Sequence, residues 1–217
     1  MDTIILTCGS LLGYVKAAQK KAGTRYPVIV LNKKYHADPE LMKVHIIKKL
    51  NHLPKHVKTV LVAMGYCGGS WENISINKRL VIPRVDECVS LLLHRDDEYH
   101  PDLKQKGYLY MKDKDTKQFS IAGSFESFTK GMEDEEKQRL KQSWVDAYDH
   151  VAVVDTGLYN CYAASYVKEA AKNAEWIEGD VRFIYGSNII IEKLIEGRWD
   201  QQFIVAEPNQ LIKKEMF

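Results

Sequence analysis

Four cysteines stand in the 217 residues, at positions 8, 67, 88 and 161. No two are close enough in sequence to make a CxxC zinc pair, so any metal site has to be assembled by the fold. Three of them sit in suggestive company: Cys8-Gly9-Ser10, Gly65-Tyr66-Cys67-Gly68-Gly69, and Arg84-Val85-Asp86-Glu87-Cys88. A thiolate is the form that binds a metal or attacks an electrophile, and a helix amino terminus favours it. Cys8, Cys67 and Cys88 together could hold zinc and leave a fourth position open for substrate or water. Soft sulfur donors equally suit an iron–sulfur cluster or Cu(I). Two rival readings stay open: a metal-free nucleophile at Cys67 or Cys88, and a free cysteine that merely packs as a small hydrophobe.

The neighbours of these thiols have their own chemistry. Gly65, Gly68 and Gly69 permit close backbone approach to a bound group. Neither GxxxxGK[ST] nor GxGxxG is present, so a nucleotide phosphate is poorly supported, although Gly9 and Ser10 at a helix start could meet an anion. Asp86 or Glu87 could complete a metal shell or act as a base, and Arg84 could grip a carboxylate. The plainer reading of the two acids is that they cap a helix. Tyr66, Trp71 and Tyr159 could wall a pocket, or belong to the core. The histidines read as surface, boundary or capping residues.

What brings these residues together is the expected sheet. Short runs rich in valine and isoleucine, without polar alternation, read as strands buried on both faces: 3–7, 27–31, 59–64, 79–83, 150–155, 174–179 and 202–207. Helical patterns at 10–22, 39–53, 86–94, 132–147, 158–173 and 183–196 alternate with them, Asp38-Pro39 supplying a start and Gly197 a stop. This alternation predicts an α/β fold: a largely parallel, Rossmann-like sheet with helices on both faces, in a single domain over 1–217. A polar, charged insertion at about 95–137 interrupts it, with "GYLYM" and "QFSIAG" as the arms of a small hairpin. In a parallel sheet all strand carboxyl ends share one edge, where ligands bind. Cys8, Cys67, Cys88 and Asp155-Thr156-Gly157 each follow a predicted strand. Whether Cys161 joins them is left open.

Composition narrows the classes. Net charge is +2 with acids and bases interleaved, unlike the one-sided basic excess of a nucleic-acid binder. No apolar run reaches the length of a membrane span. No signal peptide pattern opens the chain, which gives the expectation of a cytoplasmic protein with reduced thiols.

The motifs also resemble a family catalogued as domain of unknown function 1638. Its pattern opens with Cys-Gly after the first strand, here Cys8-Gly9. It continues with Tyr-Gly-x-Cys-Gly, partly matched by "MGYCGG", and with Pro-Arg-x-His-Asp-Cys before a leucine run, here "PRVDECVSLLL". It closes with Gly-x-Trp-Asp, here "EGRWDQQFIVAEP". The family's histidine is Asp86 here and its aspartate is Glu87. The resemblance implies an association with anaerobic methylamine and corrinoid methyl-transfer systems. The resulting expectation is a metal-binding protein, zinc first and an iron–sulfur cluster second, with Cys8, Cys67 and Cys88 as ligands. It would be an enzyme of the zinc- or corrinoid-linked methyl-transfer type acting on a small molecule. The corrinoid would come with a partner protein. The alternatives are an accessory carrier of a metal, cluster or corrinoid for a partner enzyme, and a metal-free cysteine enzyme.

Overall fold

The structure is a computed structural model and describes residues 2–112 and 120–217. In chain order its first elements are β1 (Thr3–Cys8), α1 (Leu12–Ala22), β2 (Val28–Leu31), α2 (Pro39–Asn51), β3 (Thr59–Ala63), β4 (Arg79–Pro83) and α3 (Ser90–Leu93). Then come β5 (Tyr108–Met111), α4 (Ile121–Phe128), α5 (Asp134–Ala147), β6 (His150–Asp155), α6 (Ala164–Trp176), β7 (Asp180–Tyr185), α7 (Ile189–Glu196) and β8 (Phe203–Ala206). The chain divides into two compact units, one of Met1–Leu103 with Ser187–Phe217 and one of Lys104–Gly186. Each has its own sheet.

The first unit holds five strands in the order β2-β1-β3-β4-β8. All run parallel except β8, which pairs antiparallel with β4 from Leu80↔Ala206 to Pro83↔Phe203. Apolar runs specify this sheet: Ile5, Leu6, Val60, Leu61, Val62, Val81 and Ile82 are all buried. Thr7, buried among them, donates from Oγ1 to the Ala63 carbonyl at 3.0 Å and ties the end of β1 to β3. Helix α2 starts as the sequence predicts, with the Asp38 carboxylate accepting from the Leu41 amide at 2.9 Å and a proline in the first turn. After α7 the "GRWD" segment turns back on the helix. Trp199 donates to the Leu194 carbonyl at 2.9 Å. The buried Lys193 ammonium reaches Asp97, Asp200 and Gln202, which gives that charge the acceptors its burial demands.

The second unit holds an all-parallel sheet in the order β5-β6-β7. Its core joins Met111, Val151 and Val153 to Tyr166, Ala170, Ala174 and Ile177, with Phe125, Trp144 and Trp176 stacked in edge and tilted contacts nearby.

The α/β class and the largely parallel, Rossmann-like arrangement are as expected. The insertion at 95–137 contains structure of another kind. "GYLYM" supplies β5, whose neighbour among the described residues is β6, in parallel, rather than the arm of a hairpin. The other arm begins with Gln118 and Phe119, which lie outside the described residues, and runs on into helix α4. The run 174–179 is the end of α6 and the turn that follows it, not a strand: Ala174 and Ile177 are both buried in the core. The strand is β7 instead. Its mostly exposed residues, with Asp180 and Arg182 among them, lack the apolar run that marks a buried strand. Helix 86–94 shrinks to the single turn of α3, because Asp86 and Glu87 shape a turn before it. Among the described residues, no helix is long and apolar enough to cross a membrane.

Candidate metal centre

The parallel order of β2, β1, β3 and β4 puts their carboxyl ends side by side. Cys8 is the last residue of β1. Gly9 lets the chain turn past β2, where a Cβ would stand 3.3 Å from the Leu31 carbonyl oxygen. A short 3-10 turn, Lys33–Ala37, follows β2 and carries His36. The Cys8 sulfur lies 2.8 Å from His36 Nε2 and 3.3 Å from Ser10 Oγ.

The loops after β3 and β4 are laced together. The Tyr66 amide donates to the Val85 carbonyl at 2.9 Å, and the Cys67 amide to the Asp86 carbonyl at 2.7 Å. Gly65 makes this possible: a Cβ there would lie 2.7 Å from the Glu87 backbone. Cys67 and Cys88 consequently face each other with their sulfurs 3.6 Å apart. Cys67 takes a left-handed backbone, φ 49°, which costs a non-glycine residue free energy and marks the loop as strained.

The donor atoms of Cys8, His36 and Cys88 all lie within 4.8 Å of one another. A zinc tetrahedron has sulfur–nitrogen edges of about 3.6 Å and sulfur–sulfur edges of about 3.8 Å, so the three close on an ion with shifts of about an ångström. Two thiolates and an imidazole form a soft to borderline donor set, which fits a transition metal and not magnesium or calcium. Cys67 stands beside this group, against Cys88, and is not one of the three.

Electrostatics agree with the geometry. Hydrogen bonding with Cys88, helped by His36 and Ser10, outweighs burial and holds the Cys8 thiol down to about 3. Cys67 is lowered in the same way, first by the Cys88 hydrogen bond and then by the charge of His36. Cys88 is raised well above the ordinary thiol range by its hydrogen-bonding contacts with Cys67 and Cys8 and by its burial. A bound cation favours the thiolate at each sulfur it touches, so it would act in the same direction on Cys8.

The other expected site residues are placed as follows. Asp86 Oδ1 accepts from the Glu87 amide at 2.8 Å and from Ser90 Oγ at 2.5 Å; it shapes the turn before α3 and does not cap the helix, whose N-cap is Val89 with no side-chain cap bond. Glu87 lends its backbone to the close passage of Gly65. Arg84 donates to the carbonyls of Met216 and Gln201 and lies over the Tyr99 ring at 4.1 Å, so it holds the C-terminal segment against the sheet. Tyr66 hydrogen-bonds Glu72 at 3.1 Å and packs on Phe217. Gly68 passes Pro39 at a distance no side chain would fit. Trp71 is fully buried in the first unit. Gly69 takes φ 97° next to Tyr66 and Glu72.

Asp155 ends β6 and Thr156, Gly157 and Tyr159 follow it, so they belong to the edge of the second sheet, not to the edge that carries Cys8. An unbroken strand–helix alternation does not reveal that the chain has changed sheets. Cys161 is buried in the core of the second unit with Val153 and Tyr166. His36 is the candidate metal donor that sequence reading misses. It follows a predicted strand by five residues, so the same rule that selects Cys8 would have selected it.

The family model described as "Protein of unknown function (DUF1638)" matches residues 30–195. No curated protein and no solved structure matches the chain.

Proposed function

The chain belongs to the DUF1638 family, proteins of unknown function, and we propose that it binds a transition metal, zinc first, through Cys8, His36 and Cys88. The observation that carries this reading is the meeting of those three donors at the carboxyl edge of the first sheet. Three protein ligands with a fourth position free is the pattern of a catalytic zinc site, whereas structural sites are closed by four. Once bound, the ion supplies Lewis acidity to a soft nucleophile such as a substrate thiol. That is the chemistry zinc-linked methyl transfer requires, and it is the reaction class we assign.

The chain's own residues have separate tasks in this reading. Cys8, His36 and Cys88 bind. Ser10, hydrogen-bonded to the Cys8 sulfur, orients that ligand. Tyr66, anchored through Glu72, borders the approach. Metal analysis of protein purified without oxygen tests the proposal. The expected result is about one equivalent of zinc per chain, lost in Cys8→Ser, His36→Ala and Cys88→Ser. Substoichiometric metal that these substitutions leave unchanged would overturn it.

A further inference from the structure

Cys67 is the one sulfur at this edge that the metal group does not use, and its position assigns it another task. We propose that Cys67 and Cys88 are a redox-active dithiol that a small peroxide closes to a disulfide, and that this closure takes Cys88 away from the metal. The second clause rests on the metal reading above; the first does not.

Four observations carry the pair. The sulfurs are 3.6 Å apart, so a covalent bond of about 2.05 Å needs a closing movement of about 1.6 Å. The backbones that bear them are held in register by the Tyr66–Val85 and Cys67–Asp86 hydrogen bonds, so the two side chains stay opposed. Those rungs end at Cys67. The next two residues, Gly68 and Gly69, have φ of 68° and 97° and provide the hinge for the movement. Finally, the left-handed φ of 49° at Cys67 itself is a non-glycine outlier of the kind that collects at functional sites. Cys8 is not an equivalent partner, because its sulfur is gripped by His36 and Ser10. Cys161 is sealed in the other unit's core.

Burial sets the class of oxidant. Cys67 is 9% exposed and Cys88 4%, which admits a small neutral peroxide to Cys67 first and excludes a peptide-sized disulfide. The Cys67 thiol reacts with hydrogen peroxide to give a sulfenic acid and one water, the peroxide O–O bond taking two electrons from sulfur. The Cys88 sulfur then displaces the hydroxyl from Cys67, forming the S–S bond and releasing a second water, whose proton comes from the Cys88 thiol or, where Cys88 is held as a thiolate by zinc, from solvent as the ion leaves. In the metal-free pair, two thiols and one peroxide become one disulfide and two waters.

The test uses the full chain, reduced, loaded with zinc, desalted, exposed to equimolar hydrogen peroxide near neutral pH and then alkylated. The expected product is lighter than the fully reduced chain by about 2 Da before alkylation, with Cys67 joined to Cys88 in the peptide map. Zinc should appear in a chromogenic chelator as the link forms, and dithiothreitol with added zinc should reverse both. Cys67→Ser should keep its zinc, with peroxide-driven release slowed about tenfold or more for want of a partner thiol; Cys67→Ala repeats the test with a second side chain. A link mapped to Cys8, or sulfinic acid without any link, would overturn the proposal. So would zinc release from both Cys67 variants at the parent rate. A Cys67–Cys88 link in protein that never bound zinc would uphold the dithiol and defeat the metal reading alone.

Discussion

At Cys8 the sulfur has a ring nitrogen, a hydroxyl and a second thiol as neighbours, and each predicts a different response to substitution. Cys8→Ser and His36→Ala remove ligands and should abolish stoichiometric zinc. Ser10→Ala removes only a hydrogen bond to a ligand, and the expected loss is about 10–100-fold in zinc affinity, measured by competition with a chelator of known strength. Cys161→Ser should leave zinc content unchanged, since that sulfur is packed among Val153, Tyr166 and Ala170. Residue types identified Cys8 and Cys88 because each ends or follows a strand of one parallel sheet. The same logic reached Cys67, whose sulfur lies 3.6 Å from that of Cys88, outside the group of three donors that lie within 4.8 Å of one another. Asp86 and Arg84 carried the right chemistry for a site. Their partners, Ser90 Oγ and the carbonyls of Met216 and Gln201, are tertiary facts that no local pattern encodes.

Between elements, the decisive contact is the passage of Gly65 across the Glu87 backbone. Gly65→Ala places a methyl 2.7 Å from that backbone, and overpacking of this kind costs about 1–3 kcal/mol. The expected outcome is a lower urea midpoint together with weaker zinc binding, because the loops that bear Cys67 and Cys88 must part. Helix α3 supplies a pH test. His94, buried at the end of that turn with Nδ1 2.8 Å from the Ser90 carbonyl, is held below the ordinary histidine range by its burial. The unfolded chain takes up this proton near pH 6.5, while the folded chain does so only at lower pH. The unfolded state therefore binds more protons between the two values. The His94 contribution is fully present above about pH 6.5 and lost as pH falls toward the folded value. Urea midpoints at about pH 7.5 and 5.5 should differ, and His94→Gln should narrow the difference. Strands were legible wherever both faces are buried, as in β1, β3, β4 and β6. The miss at β7 follows from its exposed Asp180 and Arg182, and the false strand at 174–179 from Trp176 and Ile177, whose β-propensity yields to helical packing.

Over the whole molecule, the three candidate metal donors all come from the unit of residues 1–103 and 187–217. Zinc bound only by the folded form stabilises it by mass action, by about 2.7 kcal/mol at a hundredfold excess over the dissociation constant. Hydrogen exchange with and without zinc should therefore slow at β1, β3 and β4, with the amides of β5, β6 and β7 unchanged. Equal slowing in both units would contradict the assignment of the site. The antiparallel pairing of β4 with β8 adds a constraint on timing. The strand leading to Cys88 has an open outer margin until residues 203–206 exist to cover it. On the ribosome, the last sulfur donor thus emerges more than a hundred residues before its supporting strand is complete. In the metal reading, loading of a finished pocket therefore waits for the end of synthesis, and a chain interrupted before β8 would leave the strand that leads to Cys88 without its outer neighbour.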